Sequence, residues 1–115
     1  MSNPTGKVIS ISNKLDREPH FIEIDEKLYK VDTSKNAVLR FFELQKKSEA
    51  GEVTDVEVID RAIKLFLGNE AFKEIEEKNA EFSFENWKVI YLACLSSAMN
   101  KTYEEMEESF RNFSN

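Results

Sequence analysis

The sequence has little of what most catalytic centres are made from. Its 115 residues include one cysteine, Cys94, and one histidine, His20. A single cysteine closes no disulfide within the chain and builds no Cys-based zinc site. One histidine and one cysteine leave most metal centres and nucleophilic triads without their parts. Glycine and proline are scarce, at three and two residues, which argues against a turn-rich all-β fold. Gly6, Gly51 and Gly68 stand apart from one another, so neither the P-loop pattern nor the dinucleotide fingerprint is present. No run of about 18 apolar residues occurs, which excludes a transmembrane helix and gives no reason to expect a membrane partner. The stretch from Met1 to Lys7 has no apolar signal core, and secretion is not expected. Basic charge is in deficit: 16 Lys and Arg stand against 22 Asp and Glu, a net charge of -6. An acidic chain is repelled by a phosphate backbone, so no nucleic-acid partner is expected. The basic segment over 33–51, with Lys35, Arg40, Lys46 and Lys47, reads as a solvated helix face.

What is present is a chain of one-domain length with 41% hydrophobic and 33% charged residues. Residues 1–19 are polar and read as a flexible N-terminal arm, in which Val8, Ile9 and Ile11 offer a short strand as the alternative. From His20 to Val31 the sequence predicts a β-hairpin. Phe21–Ile24 and Leu28–Val31 are rich in β-branched and aromatic residues, and Asp25-Glu26-Lys27 serves as the loop. Ile22 and Ile24 share one face, and Leu28 is expected to extend it across the turn. A lone hairpin is marginal in water, so it must pack on helices or pair with another chain.

Five helices are predicted after it. Asp32-Thr33-Ser34 offers N-cap oxygens for the first, running to about Glu49 with Ala37, Val38, Phe41, Phe42 and Leu44 as its apolar face. Thr54 and Glu57 form a capping-box pattern for the second, whose stripe is Val56, Ile59, Ala62, Ile63, Phe66 and Leu67, closed by Gly68. Asn69 is expected to cap a short third helix to about Asn79. Ser83 caps a fourth, Phe84 to about Asn100, whose apolar residues cover nearly its whole circumference. A helix apolar all round is a buried one, which makes it the expected centre of the core. Thr102 and Glu105 repeat the capping box before a last helix with the stripe Tyr103, Met106, Phe110 and Phe113. The fold class expected is therefore mainly α: a single small domain over 20–115, of about five helices, opening with a β-hairpin.

The chemistry-bearing residues read as structural. Glu76-Glu77 and the acids of 104–108 lie opposite apolar stripes and form solvated faces. Cys94 lies in the most apolar helix, where a free cysteine is usually a small core hydrophobe. His20 has no neighbouring nucleophile to serve. No enzyme activity, cofactor or metal is expected. The informative feature is the aromatic content: nine Phe, three Tyr and one Trp. If one core does not use them all, the surplus faces a partner. The candidate contact residues are Ile22, Ile24 and Leu28 in the hairpin, an edge open to self-association, and Tyr103, Met106, Phe110 and Phe113 in the last helix.

The hairpin Phe21-Ile22-Glu23-Ile24 followed by Leu28-Tyr29-Lys30-Val31-Asp32, and the stretch Phe84-Glu85-Asn86-Trp87-Lys88-Val89-Ile90-Tyr91-Leu92 through Met99-Asn100-Lys101, resemble the tail assembly chaperones of long-tailed bacteriophages and prophages of Gram-positive hosts. The likeness covers about residues 20–113. It implies a non-catalytic protein of the bacterial host cytoplasm that binds and solubilises the tape measure protein during tail assembly. It also implies a homo-oligomer, a tail-tube protein as a second partner for a longer frameshifted form, and absence from the mature virion. Two other readings remain open on the residues alone. One is a structural head–tail connector or tail-completion protein. The other is a small acidic inhibitor that mimics DNA.

Overall fold

A computed structural model describes residues 6–114, and in the last helix the side chains of Phe110, Asn112, Phe113 and Ser114 lie outside that description. Two strands, β1 (His20–Ile24) and β2 (Lys27–Val31), precede five helices: α1 (Lys35–Glu49), α2 (Asp55–Leu67), α3 (Asn69–Lys78), α4 (Phe84–Ala98) and α5 (Tyr103–Ser114). The protein is mainly α with a small antiparallel hairpin at its N-terminal side. Residues 7–11 form no strand, and a single 3-10 turn spans Ser12–Lys14.

The hairpin turn is tighter than the sequence suggests. Only Asp25 and Glu26 form it, both at positive φ (49° and 70°), and Lys27 already belongs to β2. Positive φ at both central residues marks the turn whose twist suits a two-residue hairpin. The register pairs Ile22 with Tyr29 and Glu23 with Leu28. Side chains alternate faces along a strand, so Leu28 lies opposite Glu23 and not beside Ile22 and Ile24. The expected common face is corrected accordingly. Ile22 and Ile24 pack with Tyr29 and Val31 against the core, while Leu28 is 60% exposed.

The helix starts follow the chemistry of their caps. The Ser34 hydroxyl accepts from the Ala37 N–H at 3.2 Å, and the Ser83 hydroxyl from Asn86 at 3.2 Å. Thr54 and Glu57 form a complete capping box, and Thr102 and Glu105 form the same reciprocal pair. Asn69 departs from expectation. It is the first residue of α3, and Gly68 occupies the cap with its carbonyl accepting from Phe72 at 3.1 Å. Gly68 thus ends α2 and begins α3, at φ 92° and ψ 156°, a backbone region open essentially to glycine. α4 stops at Ala98 because Asn100 takes a left-handed φ of 53° and Lys101 N–H reaches back to Ser96 at 3.0 Å.

The core is centred on the contact between α2 and α4. α1 and α3 pack on α2, α5 packs on α4, and the hairpin lies over both central helices. The Asp32 N–H donates to the Phe66 carbonyl at 2.8 Å, which ties the end of β2 to the last turn of α2 and satisfies a carbonyl that the helix leaves open. Phe41 joins the layers, with ring centroids 5.7 Å from Phe66 and 6.2 Å from Tyr91. A second aromatic group sets Trp87 against Phe72 at 5.1 Å and Phe82 at 6.2 Å. Two residues expected on apolar stripes are exposed, Phe42 on α1 and Val56 on α2, and Val58 takes the buried position on α2. α4 is not buried all round either, since Phe84 and Val89 face solvent. No helix among the described residues is long and apolar enough to cross a membrane.

Candidate functional site

Four helices leave a groove of about 440 Å³ between them. The end of α1 gives Gln45 and Ser48, and the start of α2 gives Asp55, Val58 and Ile59. The middle of α4 gives Tyr91, Leu92 and Leu95, and α5 gives Met106 and Ser109. The floor is apolar, and the polar groups Gln45, Ser48, Asp55 and Ser109 stand around it. Its size falls in the usual range for a site that takes a small ligand or a few side chains.

The sequence explains this arrangement. The Ala50-Gly51 break, with Gly51 at φ 76°, turns the chain from α1 into α2, so that the end of one meets the start of the other. Glu52 N–H closes the turn on the Lys47 carbonyl at 2.9 Å. The surplus apolar residues of α4 supply the far wall, and Met106 of α5 closes one side.

Of the described contact candidates, Met106 alone lines the groove, and it is buried in the chain's own core at 8% exposure. Tyr103 is half-buried against the same core. Phe110 and Phe113 lie outside the described side chains. Ile22 and Ile24 support the hairpin on the core, and Leu28 is free on its outer face. The described candidates therefore do not form one surface: Ile22, Ile24 and Tyr103 pack on the core, Met106 borders the groove, and Leu28 faces solvent. Sequence reading missed Gln45, Ser48, Asp55 and Ser109, which carry no motif, and it missed the exposed aromatics Phe21 and Phe42.

Protonation chemistry in and around the groove is quiet. Burial, with the Asp55 carboxylate nearby, pushes the Tyr91 phenol up to about 12, so it stays a neutral hydroxyl. Burial alone pushes the Cys94 thiol up to about 12, far from the thiolate that a nucleophile needs. His20 pairs with Asp16 at 2.7 Å on the segment leading into β1. That hydrogen bond, with another from the Glu18 N–H, holds the Asp16 carboxyl below its ordinary value. Among the described residues no three His, Cys, Asp or Glu side chains gather as a metal site. What the groove offers is shape and apolar surface with hydrogen-bonding groups at the rim.

Comparison with protein-family models, with curated proteins and with solved structures finds no match.

Proposed function

We propose that this protein is a non-catalytic client-binding protein that acts as a phage tail assembly chaperone. It binds and solubilises the tape measure protein in the bacterial host cytoplasm and is absent from the finished virion. The observation that carries the reading is the apolar groove among α1, α2, α4 and α5, together with the resemblance of the hairpin and of residues 84–101 to that family. A long helical client presents apolar side chains at i, i+3, i+4 and i+7, the pattern that helix-binding grooves accept. The rim groups Gln45, Ser48 and Ser109 bond to the polar edge of such a helix. The net charge of -6 keeps a coated client soluble through mutual repulsion. Self-association along the client completes the coat, and the tail-tube protein is the partner that replaces it.

The acidic surface gives less support to DNA mimicry. Glu57 pairs with Arg61 at 3.2 Å, Asp60 with Lys64 at 3.6 Å, Glu74 with Lys78 at 2.7 Å and Glu107 with Arg111 at 3.8 Å. Each of these four carboxylates has a cation within a helical turn, whereas a DNA mimic displays unpaired ones in rows.

The test fills the groove from its exposed rim. Gln45→Trp and Ser109→Trp alter exposed positions and leave the core intact, which an unchanged melting temperature verifies. Co-expressed with the tape measure protein, the wild-type chain should hold it in the soluble fraction and co-purify with it. The double variant should weaken that capture roughly tenfold or more, equal to about 1.4 kcal/mol. Undiminished capture by the filled groove sinks the groove assignment. Recovery of the chain from purified virions would favour the structural connector or completion protein instead.

A further inference from the structure

The hairpin has two strands and two open edges. In a two-residue hairpin the flanking pair Ile24–Lys27 exchanges hydrogen bonds, and alternate pairs along the ladder do the same. Phe21 and Glu23 fall at the intervening positions, so their backbone N–H and C=O groups point away from β2. Among the described residues no backbone hydrogen bond reaches either residue from outside the hairpin. An edge of this kind accepts another strand.

The chain also carries a segment suited to fill it. Val8, Ile9 and Ile11 are exposed, Ile9 at 84%, and the hydrogen bonds of residues 6–19 are local ones such as Lys14 to Ile11 and Glu18 to Asp16. The stretch from Lys7 to Ile11 is β-branched and free of proline. Residues 1–15 hold two lysines and no acid, which leaves a net charge of -8 on the remainder of a chain whose total is -6. The β1 edge is on the acidic side of this contrast, with Glu23 along it and Asp25-Glu26 at its tip. β2 presents Lys30 at its own edge.

We infer that residues 7–11 of one copy add as an antiparallel strand to the β1 edge of a second copy of this chain. The pairing places Ile9 opposite Phe21 and Lys7 opposite Glu23, apolar against apolar and cation against anion. Cross-strand pairs of these kinds are the ones that stabilise a sheet. A one-residue shift sets Ile9 on the wrong face, and a parallel arrangement that keeps Lys7 beside Glu23 carries Ile9 past Phe21. Ile9 and Ile11 then cover Phe21, which is 48% exposed in the single chain. This deepens the self-association in the proposed function and does not depend on the client.

Cross-linking tests the pairing directly. An Ile9→Cys chain is mixed with a Phe21→Cys chain under mild oxidation. Opposed residues in an antiparallel sheet lie within the Cα separation that a disulfide spans, and buried Cys94 does not compete. The expected result is a covalent dimer in the mixture, on the order of tenfold more abundant than with either variant alone. Both sites are outside the core, and unchanged thermal unfolding verifies that each variant folds. No mixed dimer overturns the inference. So does an internal disulfide in the Ile9→Cys, Phe21→Cys double variant at high dilution, since the segment then folds back on its own hairpin. Either failure leaves the groove and its client test untouched.

Discussion

α2 and α4 lie side by side at the centre of the molecule and spend their apolar residues differently. α2 gathers most of them in one stripe: Val58, Ile59, Ala62, Ile63 and Phe66 are buried, Val56 alone of the large ones is mostly exposed, and ion pairs to Arg61 and Lys64 occupy the other side. α4 carries apolar residues around most of its circumference. Ile90 and Cys94 go to the core, Tyr91, Leu92 and Leu95 also wall the groove, and Phe84 and Val89 face solvent. The comparison shows that an all-apolar helix need not be buried all round. Its excess can border a groove and face solvent.

The largest expected effect comes from emptying each helix at a large buried side chain. Phe66 is 1% exposed, set between α2's neighbours and against the Phe41 ring. Phe66→Ala should cost about 3–5 kcal/mol, because the closed core cannot collapse around the void. Leu92 is nearly as buried, but one side of it borders the groove. Leu92→Ala enlarges an existing opening, so its cost should fall near the lower limit of about 2 kcal/mol for such a change. Urea unfolding measures both, as shifts in midpoint at constant slope. Equal losses would mean that the groove wall is packed as tightly as the core, and the distinction between the helices would fail.

The same contrast shows how far the sequence could be read. Caps were legible because their chemistry is local: Ser34, Thr54, Ser83 and Thr102 sit where their side-chain oxygens meet the first free N–H groups. The α2 stripe was legible because its period is clean, apart from Val56, which is exposed while Val58 takes the buried position. Leu28 was misplaced for a reason of parity. A loop read one residue too long shifts the register, and a one-residue slip moves a side chain to the opposite face. The groove was not legible, because its walls come from four helices separated in sequence, and residues such as Gln45 and Ser109 acquire meaning only from their neighbours. Tyr103 and Met106 looked like a free stripe because α5 reads as amphipathic whether its apolar face meets a partner or α4.

The helix ends supply the next effect, and here the expected signs are opposite. Gly68 closes α2 at φ 92°, and a Cβ added there meets nothing within 4 Å. Gly68→Ala therefore isolates backbone strain, expected at about 1–3 kcal/mol destabilising. Asn100 closes α4 at φ 53°, where glycine is the residue best suited to a left-handed cap. Asn100→Gly should be neutral or stabilising by a few tenths of a kcal/mol, roughly the asparagine penalty in that region less glycine's added freedom when unfolded. Urea midpoints read both. A neutral Gly68→Ala would show that the α2–α3 junction relaxes to ordinary angles, and that glycine is not what sets the angle between those helices.

The smallest effect is the most informative about α4. Val56 and Val89 are 60% and 51% exposed, one on each central helix. Exposed positions away from special features change stability by no more than about 0.5 kcal/mol, so Val56→Ser and Val89→Ser should both be close to neutral in dilute solution. The comparison sharpens when protein concentration is raised. Association stabilises the folded state in proportion to the logarithm of partner concentration. If the apolar excess of α4 is covered in a subunit contact, the wild-type melting temperature rises with concentration and Val89→Ser flattens that rise, while Val56→Ser leaves it intact. If both variants follow the wild type at every concentration, the exposed side of α4 around Val89 is not a subunit contact, and of its apolar residues only Tyr91, Leu92 and Leu95 in the groove are left for a partner.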